Sequence, residues 1–465
     1  MLSLRVMGWK LTPKQHQFPP LCRTVRSWVR APPALQNVGA GWISGAKTQS
    51  IHEYWIVQLD QLRPVLGRVQ VLDGLRGFAL AGIVVINAMS ILAVKGSTPA
   101  FTVDIPVADR ALQDLILLLV ESKFFTLFSL LFGVSFAIQI ASAERRGVRF
   151  LPRISRRLLA LLIFGLLHVC LLWDGDILVV YAVTGALLIG MSRLSVAAAR
   201  RWIVGLLGIP ATLVLLGFAG SVLARKNPGA ASALAQADKG IADEFANISA
   251  AQRLLDAGYI DSIGDRLHTY IDLAPLLLSR TPTVLAMFLL GLQLGRSDFF
   301  QAPDRHVALL RRCRKYGLSV GLTLMVLIVT ATKFLPPVSG LLALIEDQYL
   351  AGPILCIGFA AALVLAYLKR PERRVFAHFA AVGQMALTNY LGQSLVLVAL
   401  ASGWGLGLAT QLSGFEVIGI VAALYCGQVA LSTLWLRHFA YGPLEWIWRC
   451  ATYWRPLSIV RRANV

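Results

Sequence analysis

Arg156 to Leu188 reads RRLLALLIFGLLHVCLLWDGDILVVYAVTGALL. Two apolar runs meet there at the tight turn Trp173-Asp174-Gly175-Asp176, so the stretch is read as a helical hairpin in a bilayer with polar chemistry at its tip. The helix before the turn carries His168, the turn carries Asp174 and Asp176, and the helix after it carries Tyr181. Four protonatable groups are thereby expected near one membrane depth. Charge at that depth is expensive, so ionisable groups there are functional-site candidates.

The rest of the chain demands the same setting. Hydrophobic residues make up 57% of its 465 residues and charged ones 15%, with a mean hydropathy of +0.66. Soluble domains run nearer a quarter charged. The net charge of +20 comes from short Lys and Arg clusters between apolar runs, where it orients helices and meets anionic headgroups. The expected partner is therefore the lipid bilayer, and nucleic acid is not expected. The six cysteines form no CxxC pair, so neither a metal site nor a disulfide framework is encoded. No Walker A loop, HExxH helix, GxSxG elbow or dinucleotide fingerprint after a strand is present.

A spanning helix needs about 20 apolar residues. The pattern predicts about ten spans, at 75–94, 123–141, 158–173, 177–191, 202–223, 281–294, 317–332, 352–367, 387–400 and 417–436, with 111–120 as a separate interfacial helix. The expected fold class is an all-α polytopic membrane protein. Its organisation is read as a basic extension at 1–67, a bundle at 68–224, an external amphipathic segment at 225–273, a second bundle at 274–436 and a cytoplasmic aromatic and basic tail at 437–465. The extension has the composition of an organellar transit peptide, but it lacks a clean apolar core with a cleavage site, and a plain basic leader or an upstream start codon explains it better. Every second loop is rich in arginine, for example Arg145 to Arg157, Arg305 to Arg314 and Arg370 to Arg374, while the alternate loops are nearly bare. Lys and Arg are retained inside, so both termini are expected to be cytoplasmic and the long segment external. Asn247-Ile248-Ser249 spells a glycosylation sequon that carries little weight alone.

Five ordered motifs carry a family likeness: LDGLRGFALAGIVVIN (Leu72 to Asn87), ESKFFTLFSLLFGVSFAIQI (Glu121 to Ile140), the hairpin, VGQMALTNYLGQS (Val382 to Ser394) and YGPLEWIWR (Tyr441 to Arg449). From about Arg68 onward the chain resembles the YeiB-like bacterial membrane family, catalogued as a domain of unknown function. That family in turn looks like a distant member of the transmembrane acyltransferase group, which includes the acyltransferase-3 sugar O-acetylases and the lysosomal heparan glucosaminide N-acetyltransferase. Arg76, ten residues and then Asn87 match the group's Arg-x10 spacing. The acyltransferase-3 branch has histidine at the second position, so a catalytic histidine does not carry over to Asn87. The resemblance implies a bacterial inner membrane location, an acyl-coenzyme A donor, and a small-molecule, glycan or lipid-linked acceptor.

Each candidate residue has a plainer reading beside it. Asp73 and Arg76 share a helix face, as a capped helix start with a positive-inside arginine or as a clamp for a coenzyme phosphate. His168 is either a histidine satisfied by a neighbouring helix or a general base, with Asp174 or Asp176 orienting its ring. Glu121 and Lys123 either pair at the interface or line the outer mouth. Asn389 and Gln393, four apart, form a polar stripe that is either interhelical glue or an acceptor pocket. The aromatic and basic tail is read as an interfacial anchor, with stacking on a nucleotide base as the alternative. The function expected first is acyl transfer, with His168, Asp174, Asp176 and Asn87 catalytic, Arg76 and Asp73 on the donor, and Glu121, Lys123, Asn389 and Gln393 on the acceptor. A transporter or permease and a non-catalytic scaffold are the alternatives. Against transport, the two halves show no convincing sequence symmetry.

Overall fold

The structure is a computed structural model, and it describes residues 70–92, 106–246 and 258–461. All of these but Val460 and Arg461 belong to one compact unit, Arg63–Ile459; the other unit, Met1–Leu62 with Val460–Val465, falls almost wholly outside the described residues. The basic extension, the sequon and part of the long external segment lie outside them too.

The regular elements of the described residues are helices: α1 Gln70–Ile91, α2 Val107–Leu119, α3 Lys123–Arg145, α4 Phe150–Leu171, α5 Leu178–Met191, α6 Val196–Ala224 and α7 Pro228–Ala246. After the gap come α8 Asp261–Asp272, α9 Ala274–Ser279, α10 Thr281–Arg296, α11 Val307–Phe334, α12 Pro337–Glu346, α13 Gly352–Lys369, α14 Arg374–Gln384, α15 Ala386–Ala401, α16 Gly414–His438 and α17 Pro443–Tyr453. Among the described residues eight helical stretches are long and apolar enough to cross a membrane, and α5 and α15 are shorter apolar helices that fill the remaining two expected spans. The chain is thus an all-α polytopic membrane protein. In a bilayer only helices or a closed barrel satisfy every backbone group, which is why the apolar pattern reads so directly into structure.

Three stretches are more broken than the pattern suggests. The expected interfacial helix is α2, and it joins α3 in one stretch, Val107–Arg145, interrupted where Ser122 takes a left-handed φ of 61°. A five-residue π-helical turn, Asp347–Ala351, links α12 to α13. The ninth expected span lies within α15, and the chain breaks just before it at Met385, where α14 ends. Broken backbone at membrane depth needs polar partners, and each break has side chains aimed at it.

Lipid is as apolar as leucine, so these helices associate by close packing rather than by hydrophobic burial. α3 lies along α10, and the contact depends on two glycines: a Cβ on Gly133 would stand 2.1 Å from the Phe288 carbonyl oxygen, and one on Gly291 would stand 2.0 Å from that of Leu130. Phe132 and Phe288 stack beside them with centroids 4.5 Å apart. α1 and α14 meet in the same way at Gly77 and Gly383. Since α3 and α10 stand on opposite sides of the long external segment, the residues of both halves fall in one unit. In contrast α6 buries only Ala199, Ala211 and Ser221 and leaves its apolar side chains outward, as a lipid-facing helix does.

Candidate functional site

The hairpin tip is built by α4 and α5. Gly165, one turn before His168, lets the returning chain come close: a Cβ there would stand 2.8 Å from the Val179 backbone nitrogen and 3.0 Å from Asp176 Oδ2. The His168 carbonyl accepts from the Leu172 and Trp173 N–H groups and so ends the helix. Asp176 then faces the ring, its Oδ1 2.9 Å from His168 Nδ1. Its other oxygen accepts from the Val179 N–H at 2.7 Å and caps the first turn of α5. With both oxygens engaged the carboxylate is fixed, and it fixes the imidazole. His168 and Asp176 are each 1% exposed. Trp173 meets the ring edge-on, and Tyr390 of α15 lies 5.3 Å from it. Among the described residues His168 Nε2 has no hydrogen-bond partner.

Of the two carboxylates proposed to orient His168, Asp176 is the one paired with it. Tyr181 does not converge on this pair. It donates to the Phe125 carbonyl and shares a hydrogen bond with Ser129, because its helix face is turned toward α3. Tyr390 takes the place beside the ring instead. Over the tip, Tyr259 donates to the Leu171 carbonyl at 2.8 Å and Arg266 of α8 to that of Cys170 at 3.1 Å. The external segment thereby satisfies carbonyls that the end of α4 leaves open.

Two other predicted polar residues are buried with unused groups. Among the described residues the Asn87 amide nitrogen has no partner, and Gln393 has none on either amide atom. Asn389 is committed elsewhere. It donates to the Val382 carbonyl at 3.1 Å and to Ser432 at 3.0 Å, which satisfies the break between α14 and α15. Glu445 of α17 completes that break by accepting from the Leu387 and Thr388 N–H groups and the Thr388 hydroxyl. Burial raises the Glu445 carboxyl above its ordinary value, and these hydrogen bonds offset only part of that rise.

Lys123 is paired across the fold rather than with Glu121. Glu121 lies in the turn before α3, on the far side of the left-handed Ser122, and Lys123 Nζ donates instead to Asp347 at 2.9 Å and to the Leu117 carbonyl at 2.9 Å. This ion pair is fully buried, and it sits on the π-helical turn. Neither carboxylate oxygen of the adjacent Glu346 has a partner.

At the opposite end of the bundle, Arg76 pairs with Asp73 and donates to Ser135. Arg157 of α4 lies nearby with its guanidinium 3.7 Å over the Trp448 ring. The aromatic tail makes protein contacts here: Arg153 lies over Tyr453 and Arg156 over Trp454. Arg157, Asp347, Tyr390 and Glu445 were not singled out from the sequence. For Arg157 a signal existed, since ten residues separate it from His168 just as ten separate Arg76 from Asn87. The two helices thus carry an arginine at one end and a buried polar side chain eleven residues on, about 16 Å at 1.5 Å per residue.

Residues 294–455 match the family described as "Protein of unknown function (DUF418)". The chain is 33% identical over 416 residues to the uncharacterized protein YxaH of Bacillus subtilis (strain 168), covering 86% of this chain and 99% of that relative. It is 27% identical over 393 residues to the uncharacterized protein YeiB of Escherichia coli (strain K12), covering 82% and 95% respectively. The YeiB-like resemblance read from five motifs is borne out by these matches.

Proposed function

We propose a function from this chain's own geometry, because the chain belongs to the DUF418 family of proteins of unknown function. The reading is an integral membrane acyltransferase of the bacterial inner membrane. It moves an acyl group from a cytoplasmic coenzyme-A thioester to a hydroxyl or amine of an envelope glycan or lipid-linked acceptor. The observation that carries it is the buried His168–Asp176 pair with Nε2 unpartnered. Asp176 accepts a hydrogen bond from Nδ1–H, which keeps that proton on the ring and leaves Nε2 as the basic nitrogen. The acceptor oxygen or nitrogen attacks the thioester carbonyl, Nε2 takes its proton, and the tetrahedral intermediate collapses with loss of the thiolate, to which the proton is returned. Asn87 and Gln393 hold unused amide N–H groups for the developing oxyanion. Arg76 holds a phosphate of the donor at the inner mouth.

Full-length protein in detergent is expected to release free coenzyme A from acetyl-coenzyme A, and His168→Ala to abolish release while binding survives. Wild-type protein that neither binds nor cleaves the thioester ends this reading.

A second reading, secondary transport, is favoured by the Lys123–Asp347 pair and the unpartnered Glu346 at a π-helical turn, since buried ionisable groups on broken helices suit a proton relay. Solute accumulation in proteoliposomes that a proton ionophore collapses is the result that selects it.

A further inference from the structure

The inner ends of α1 and α4 and the tail helix α17 bring the guanidinium groups of Arg76, Arg157 and Arg449 into one neighbourhood, with Asp73 paired to Arg76. Trp448 underlies the Arg157 guanidinium at 3.7 Å and donates its indole N–H to the Arg157 carbonyl at 2.8 Å. One aromatic residue thus pins both the side chain and the backbone of this arginine. Arg449, next in the chain, lies over Tyr441 at 4.4 Å. The Arg449 guanidinium is close enough to act electrostatically on both Asp73 and Arg157, and Arg76 acts on Arg157 as well. Asp73 is committed to Arg76. Among the described residues no carboxylate lies at ion-pair distance from Arg157 or Arg449, and the enclosed Nε of Arg157 has no hydrogen-bond partner.

An ordinary positive-inside arginine is a solvated charge whose head snorkels to the headgroups. These converge, and two lie over aromatic rings. Like charges brought together repel, a standing cost that a bound anion removes. We propose that Arg157 and Arg449, with Arg76 completing the positive field, form a binding site for a phosphate-bearing ligand at the inner mouth. A guanidinium fork matches phosphate oxygens in pairs, and the aromatic planes fix the forks beforehand, so little side-chain freedom is lost on binding. This deepens the donor site of the proposed function and rests on that reading only for which phosphate arrives. A soluble diphosphate and an anionic lipid headgroup present the same oxygens.

The test uses the full chain in phosphatidylcholine nanodiscs titrated with inorganic pyrophosphate at low salt. Its second arm is native mass spectrometry of lipid retained from a mixture of phosphatidylglycerol and phosphatidylcholine. Saturable pyrophosphate binding is expected, weakened about tenfold or more by Arg157→Gln and by Arg449→Gln. Arg449 is exposed, so its variant keeps the fold if the Arg157 variant does not. Selective retention of phosphatidylglycerol, lost in the same variants and without pyrophosphate binding, keeps the site and assigns it to a headgroup. Absence of both signals overturns the proposal, as does binding that Arg449→Gln leaves unchanged. Neither arm needs turnover, so failure of acyl transfer and failure of this site are read separately.

Discussion

At the scale of single residues, His168 and Asp176 form a pair with one nitrogen left to work. Asp176→Asn is expected to lower turnover by about 100-fold or more, because an amide cannot hold the imidazole in the right tautomer as the carboxylate does. Thioester binding is expected to survive, which separates this effect from loss of the donor site. The Lys123–Asp347 pair makes a different prediction. Removing one partner strands a buried charge and costs about 3 to 5 kcal/mol, whereas replacing both with apolar side chains is close to neutral. Folded yield in detergent is therefore expected to fall in Asp347→Leu and to recover in Asp347→Leu combined with Lys123→Met. No recovery would mean the charges do more than pair. His168 and Asp176 were legible in the sequence because eight residues and a tight turn keep them local. Asp347 was not, since its partner stands 224 positions away. Chain separation of that size leaves no trace in one sequence.

Among elements, the break between α14 and α15 shows how a polar stripe becomes structure. Asn389 reads as an acceptor pocket or as packing glue, and the geometry gives it to the break. Glu445 supplies the other half from α17, so the tail is clamped to the bundle by a carboxyl group that accepts from the first N–H groups of α15. Glu445→Ala is expected to cost about 1 to 3 kcal/mol by leaving those N–H groups unpaired, and Glu445→Gln to cost less because its amide oxygen still accepts. A carboxyl raised by burial contributes stability that is full at low pH and is lost as pH rises through its elevated value. Proteolysis of α17 in the wild type is accordingly expected to quicken as pH rises above the usual carboxylate range, and in Glu445→Gln to stay flat. Element existence was legible because apolar runs of spanning length have one reading in lipid. The breaks were not, because what permits them is a partner from another helix. The α3–α10 contact is as sensitive: Gly133→Val places side-chain atoms on the Phe288 backbone and is expected to abolish the folded monodisperse species on size exclusion.

For the whole molecule, the proposed reaction joins two ends of one bundle: arginines at one mouth, and at the other the buried amide of Asn87 on α1 and the buried base His168 on α4, about 16 Å along each helix. The orientation comes from loop charge, and labelling of single cysteines is expected to place Asp174 and Ser402 outside and Arg149, Arg311 and Arg373 inside. Arg266 of α8 and Tyr259 cover the end of α4 at the hairpin tip, so α8 is expected on the Asp174 side. The measurement that bears most directly on the central claim is made in sealed proteoliposomes of known orientation, with labelled acetyl-coenzyme A supplied to one side at a time. Cleavage is predicted when the thioester is on the Arg149 side, and none when it is on the Asp174 side or when His168→Ala replaces the wild type. Cleavage from the Asp174 side alone, or undiminished in His168→Ala, would contradict it.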